Sequence, residues 1–309
     1  KEGACQESAG EEGCGHQGCH DEGCGEEGSG HESCREEGSR KEGEKVTMGA
    51  QTSHSLVKAR SSLASYAPTR ELAAHLFAAA MGLSGSSALR SSLGDSSADP
   101  TALQALARSA FASLSTDARA LVGELVALRW SSPRDIQAAL EELGVRVLAQ
   151  VSGDSSDLVG ELLAVSDLIH SDPDVELAIG SKRASAEAKA TLVSALVGGK
   201  VSVEAEAIVR HLVSDPRGRR IGRMLMGAAE TVADQGGQGL AVVSVAKPLS
   251  GAQLAQIESL VHKKYQRSHY IAQRVDGSLV GGARIRVGDD VIDGSVATRL
   301  QDLRMKLAG

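Results

Sequence analysis

The sequence predicts a mainly α-helical protein, with a duplicated N-terminal helical bundle followed by a small α+β C-terminal domain. Three observations carry that expectation. Residues 56–235 keep the apolar period of helices, punctuated by Gly, Ser-Ser and Asp-Pro. Within that stretch the chain matches itself at an offset of 86 to 87 residues. Beyond residue 239 the period changes to that of short strands separated by turns. The expected organisation is a low-complexity segment (1–47), a first bundle copy (48–150), a second copy (151–238) and an α+β domain (239–309).

In the helical body, the offset of 86 sets Leu83, Leu89 and Leu93 against Ile169, Val175 and Ile179. An offset of 87 then places Ala120, Leu121, Val122, Leu125 and Val126 over Ala207, Ile208, Val209, Leu212 and Val213, with Pro133 and Pro216 ending each copy. One gap is tolerable in an old duplication, because loops accept insertions that helices do not. Aromatic residues are only 2% of the chain, so Ala, Leu and Val must do the packing.

In the C-terminal region, residues 240–246 alternate as a strand that Lys247-Pro248 ends, and Ser250 caps a helix with Leu254, Ile257 and Val261 on one face. A strand over 269–275 and a turn at Asp276-Gly277-Ser278 follow. Ala283, Ile285 and Val287 then alternate with Arg284 and Arg286, Gly288-Asp289-Asp290 turns the chain, and Val291-Ile292 returns it. Asp293-Gly294-Ser295 supplies a turn and an N-cap. Val296, Leu300, Leu303 and Leu307 line up as one helical stripe, with Arg299, Arg304 and Lys306 off it.

The run Gly281, Gly282, Ile285, Gly288, Asp289, Val291, Ile292, Asp293, Gly294, Ser295, Val296, Arg299 and Leu300 resembles the C-terminal signature of the delta subunit of F-type ATP synthases. That family includes the mitochondrial oligomycin-sensitivity-conferring protein. The resemblance is nearly continuous over residues 240–309, and residues 157–234 are similar to the family's N-terminal bundle, including the helix start Ser185-Ala186-Glu187-Ala188-Lys189. Ordinary members have one bundle, and two copies agree with the longer form associated with actinobacteria.

The resemblance implies a non-catalytic subunit that joins the catalytic head to the peripheral stalk, so that the head does not turn with the rotor. The implied partners are the head's alpha subunits and the stalk's b subunits. One copy would sit in the hetero-oligomer, at the cytoplasmic side of the cell membrane. In the family the bundle holds N-terminal helices of the head's noncatalytic subunits in grooves between its own helices. Leu56, Ala59, Leu63 and Tyr66 are the candidates to line such a groove, the alternative being that they face their own core. The final helix is the candidate stalk contact, with Leu300 and Leu303 on its stripe and Arg299 beside it. If the stripe instead packs on the small sheet, Leu300→Ala or Leu303→Ala costs roughly 2–5 kcal/mol.

Residues 1–47 hold 5 of the 33 Lys and Arg and 13 of the 40 Asp and Glu, which leaves 28 against 27 in the rest. The body is thus nearly neutral and lacks the basic patch of a nucleic-acid binder. Cys5, Cys14, Cys19, Cys24 and Cys34 all lie in this first segment, which has too few large aliphatic residues for a core. With His16 and His20 between them, Cys14, Cys19 and Cys24 suggest soft-metal binding but lack paired C-x-x-C spacing. The Gly13-Gly15-Gly18 match to a dinucleotide motif has no strand before it and no helix after it. The favoured reading is upstream DNA read out of frame: Glu42-Gly43-Glu44 matches a purine-rich ribosome-binding site, and translation is expected to start at Met48.

No run of about 18 apolar residues predicts a membrane span, and no signal-peptide pattern follows Lys1 or Met48. Gly198-Gly199-Lys200 is followed by Val201 and lacks the P-loop spacing. The histidines at 54, 75, 170, 211, 262 and 269 show no metalloprotease spacing and are expected as surface or hydrogen-bonded core residues. Glu141-Glu142 reads as a solvated helix face and Asp289-Asp290 as a turn. No catalytic residue, metal site or cofactor is expected. Two other readings compete with the stator subunit: a free-standing helical adaptor that kept the fold, and a metal-handling protein led by the cysteine-rich segment.

Overall fold

The computed structural model describes residues 49–181 and 184–308, apart from the side chains of residues 302, 303 and 308. Met48, the five cysteines and the expectations attached to residues 1–47 lie outside the described residues. The helical body comprises α1 (Ala50–Leu63), α2 (Arg70–Gly85), α3 (Ser87–Leu93), α4 (Pro100–Ala110), α5 (Thr116–Val126) and α6 (Pro133–Ser152). It continues with α7 (Ser155–Ser171), α8 (Pro173–Gly180), α9 (Ala186–Val197), α10 (Val203–Ser214) and α11 (Ile221–Gln235). Polar caps start many of these helices. Thr69, Ser115, Asp154, Asp172 and Ser202 each accept a hydrogen bond from a first-turn amide, and Ser132 and Asp135 form a reciprocal capping box on α6.

Burial repeats with the sequence. Leu72, Ala73, Leu76, Ala79, Ala80 and Leu83 of α2 recur 86 residues on as Leu158, Val159, Leu162, Val165, Ser166 and Ile169 of α7, all buried. Ala118, Leu121, Val122, Leu125 and Val126 of α5 recur 87 residues on as Ala205, Ile208, Val209, Leu212 and Val213 of α10. The two copies are not separate beads, because α6 belongs to both. Its Ile136, Leu140, Leu143 and Val147 match Thr52, Leu56, Ala59 and Leu63 of α1, and equally Ile221, Leu225, Ala228 and Val232 of α11. Packing follows the same logic: α1 lies on α5 and α6, as α6 lies on α10 and α11. Pro133 therefore opens a shared helix instead of ending a copy, at the first helical position where its missing N–H is harmless.

A helix with neighbours on both sides cannot keep one polar face. The run Val145, Arg146, Val147, Leu148 and Ala149 is buried without interruption, which a single amphipathic stripe never produces. Nearly all buried apolar residues of α1 to α11 join one continuous core. Its most extensive helix pairing is between α2 and α6, where Gly144 lies against the Phe77 ring.

The α+β region follows the expected order: β1 (Gly239–Val245), α12 (Gly251–Tyr265), β2 (His269–Val275), β3 (Ala283–Val287), β4 (Asp290–Asp293) and α13 (Val296–Ala308). The sheet order is β2-β1-β3-β4, with β1 parallel to β2 across the α12 crossover and antiparallel to β3. Alternation divides β1 between two cores. Ala241, Val243 and Val245 pack with Val261 and Ile285, while Leu240 and Val242, with Tyr270 and Ala272, join the helical core. The sheet thus sits on α11 and α7, and Arg274 of β2 pairs with Asp167 of α7. No single described helix is long and apolar enough to cross a membrane. Together α2 and α3 have the composition but bend by 109° at their junction, and α2 buries its apolar face in the core.

Gly144→Ala, which in an exposed helix adds up to about 1 kcal/mol of stability, is expected to destabilise this protein by about 1–3 kcal/mol in denaturant unfolding. The added Cβ would lie 2.4 Å from Phe77 Cε1.

Candidate interaction surfaces

The residues first expected at an interface divide sharply. Leu56, Ala59 and Leu63 point into the core and do not line an open groove. Tyr66 is half-buried, and its hydroxyl donates to Glu124 Oε1 of α5 at 2.8 Å. Burial first, then that hydrogen bond and the Glu124 charge, push the phenol up to about 12. The outer face of the first copy is instead formed by exposed side chains of α1 and α5, among them Val57, Asp117, Ala120 and Glu124.

Polar order concentrates where sequence reasoning placed water. Glu141 and Glu142 are not a solvated face, because α6 is enclosed by both copies. Glu142 accepts from Arg60 of α1 (2.7 Å) and from Arg146 (2.8 Å), and Arg146 continues to Asp234 of α11 (2.7 Å). Asp234 also accepts from Arg267, between α12 and β2 (2.9 Å). One ionic line therefore runs from α1 through α6 and α11 to the α+β region. Arg146 is 5% exposed, so its guanidinium depends on these partners for its solvation.

On the preceding residue of α6, Glu141 accepts from Arg217 and, through both oxygens, from Arg219 (2.8 and 2.9 Å). Burial pushes this carboxyl up, but His211, Arg219 and Arg217 outweigh it and hold the group at about 2. Arg217 sits in the left-handed region (φ 49°), a position that costs a non-glycine residue about 1 kcal/mol and is fixed here by its carboxylate partner. His211 departs from the expected surface or satisfied core histidine. It stacks on Phe77 with centroids 4.1 Å apart, and both ring nitrogens are buried without a hydrogen bond, Nε2 lying 3.7 Å from Glu141.

At the other end, the glycine-rich signature proves to be the anchor of α13. Gly281 O accepts from Val296 N–H (3.0 Å), Ala283 O accepts from Gly294 N–H (3.0 Å), and Ser295 caps the helix through Thr298 N–H (3.3 Å). Gly282 is left-handed (φ 84°), and a Cβ there would meet Gly294 O at 2.5 Å. Asp293 holds this corner, accepting from Ser295 N–H (2.9 Å) and from Arg284 (2.9 Å); the Ser295 bonds come first in keeping its carboxyl at about 2.

Past that anchor α13 stands largely free. Its stripe does not pack on the sheet: Val296 is 40%, Leu300 52% and Leu307 87% exposed, and Arg299 is exposed as well. The side chain of Leu303 lies outside the described residues. Among the described residues no group of three or more His, Cys, Asp and Glu could hold a metal ion. The expected turn falls on Gly288-Asp289, while Asp290 opens β4 opposite Val287 and binds Lys264 and Tyr265.

Comparison with known proteins gives a consistent picture. The family model for the ATP synthase delta (OSCP) subunit matches residues 145–307. A relative from Leifsonia xyli, named ATP synthase subunit delta, is 40% identical over 264 residues, which covers 85% of this chain and all of the relative. One of the same name from Pseudarthrobacter chlorophenolicus is 34% identical, again over 85% of this chain and the whole relative. Among solved structures, a chain of the Toxoplasma gondii mitochondrial ATP synthase hexamer is similar over 55% of this chain and 98% of its own, at 19% identity and a TM-score of 0.34.

Glu141→Gln is expected to cost about 2–4 kcal/mol at pH 7, because it leaves Arg217 and Arg219 near an uncharged group. A carboxyl held at about 2 against 4.5 contributes stability that is present above 4.5 and lost as the pH falls towards 2. Urea unfolding of parent and variant should therefore converge over that interval. A second variant, Gly282→Ala, should cost at least about 2 kcal/mol and shift the amide resonances of residues 293–299, since the strained φ and the backbone clash add.

Proposed function

Since the chain belongs to the ATP synthase delta (OSCP) subunit family, we propose that it is a non-catalytic subunit of an F-type ATP synthase that ties the catalytic head to the peripheral stalk. The helical body takes the head's alpha subunits, and the C-terminal region takes the stalk's b subunits. The chain stands in single copy, peripheral on the cytoplasmic side of the cell membrane, and supports proton-driven ATP synthesis by holding the head against rotor torque.

The observation that carries this reading is the state of α13. A helix that keeps Leu300 and Leu307 in water, yet is capped by Ser295 and tied to the sheet through Gly294 N–H and Val296 N–H, is built to meet another surface. Its amphipathic stripe suits the groove of, or a coil with, a stalk helix, and Arg299 beside it suits an acidic neighbour. The ionic line from Arg60 to Arg267 supports the mechanical half of the proposal, because load applied at the C-terminal region reaches α1 through charged, directional contacts.

The test separates folding from assembly. Leu300→Ala is expected to leave unfolding within about 0.5 kcal/mol of the parent, since the residue is half exposed. In the enzyme purified from membranes, Leu300→Ala together with Arg299→Glu should weaken retention of the stalk b subunits by more than about 1 kcal/mol while the head subunits stay bound. Loss of the head with the stalk retained would reverse the assignment of the two ends.

A further inference from the structure

A slot opens between α2 and α10, above the stacked rings of Phe77 and His211. The two helices run parallel and are tied at each end, by Arg70 to Glu204 (2.6 Å) and by Ser84 to Asp215 (2.8 Å). Between the ties lies a cavity of about 440 Å³, floored by the Phe77 and His211 rings and walled by Ala73, Ala74, Ala78 and Ala207. Ala74, Ala78 and Met81 are open to solvent at its mouth.

Its charges are few. Glu204 is buried and neutralised by Arg70, and His211 is enclosed in the floor. Arg210, at the Met81 end, is exposed and makes no ion pair among the described residues, and exposed Glu187 lies in the adjoining depression without pairing with it. From Arg70 to Met81 the slot runs roughly 16 Å, at 1.5 Å per residue. That volume falls within the roughly 300–1,000 Å³ of small-molecule sites, and the lining has their character: apolar walls with a few placed polar groups. A helix of about 10 Å diameter would admit only its side-chain tips.

We propose that the slot between α2 and α10 binds a small amphiphile with one anionic group, its apolar body lying along the alanine walls and its anion on Arg210. Because the slot spans the seam of the two bundle copies, its occupant would bridge them. This inference does not depend on the assignment of the head and stalk contacts.

Calorimetric titration of the purified full chain with dodecanoate, kept below its micellar concentration, tests it. The expected results are one site, binding of dodecanoate well above that of dodecyltrimethylammonium, and about tenfold weaker dodecanoate binding by Arg210→Gln. Ala78→Leu, at an exposed helix position, should fill the slot and abolish binding while leaving the thermal transition in place. Absence of binding, equal binding of both amphiphiles, or binding indifferent to both variants would overturn the proposal. So would displacement of dodecanoate when the chain is assembled into the enzyme, since a protein segment would then be the natural occupant.

Discussion

The structure depends on the double burial of α6. A helix shared by two bundles must satisfy its neighbours on both sides, and the sequence of α6 answers that demand twice: leucine and valine for the cores, and Glu141, Glu142 and Arg146 for the seams. Apolar packing supplies the bulk of the stability, at roughly 2 kcal/mol for each leucine enclosed. The ion pairs add less to stability, because removing charges from water cancels much of their attraction. What they add is direction: a carboxylate held between Arg60 and Arg146 fixes how α1 and α6 lie, which apolar contact alone does not.

Function follows from where this stiffness stops. The core runs without a break from α1 through Leu240, and the sheet is attached to it through the second face of β1 and through Arg267 and Arg274. Beyond the Gly281–Ser295 corner the pattern reverses, and α13 carries Val296, Leu300, Met305 and Leu307 exposed to solvent. A continuous core that ends in an anchored, uncovered helix is what the proposed link between head and stalk requires.

Much of the architecture was legible in the sequence because its signals are local or periodic. The order of strands and helices after residue 239 follows from alternation, turns and caps, and the repeat is visible because buried positions keep their spacing across both copies. The burial of Leu56, Ala59 and Leu63 and the enclosure of Glu141 were harder to read, since an apolar stripe has the same period whether it faces a core or a partner. The repeat did contain the missing signal. Matching α6 to both α1 and α11 places neighbours on two of its faces, and its glutamates then cannot lie in water. The exposure of Leu300 could not be read from sequence, because a stripe does not reveal whether its cover comes from the same chain.

Native-state hydrogen exchange, followed by mass spectrometry on the full chain, addresses the central claim that α6 joins the two copies into one cooperative body. The account predicts that buried amides of α2 and α5 open with the same free energy, and the same denaturant dependence, as those of α7 and α10. Opening of the first copy in a separate, less stable step, with α6 to α11 still protected, would contradict it.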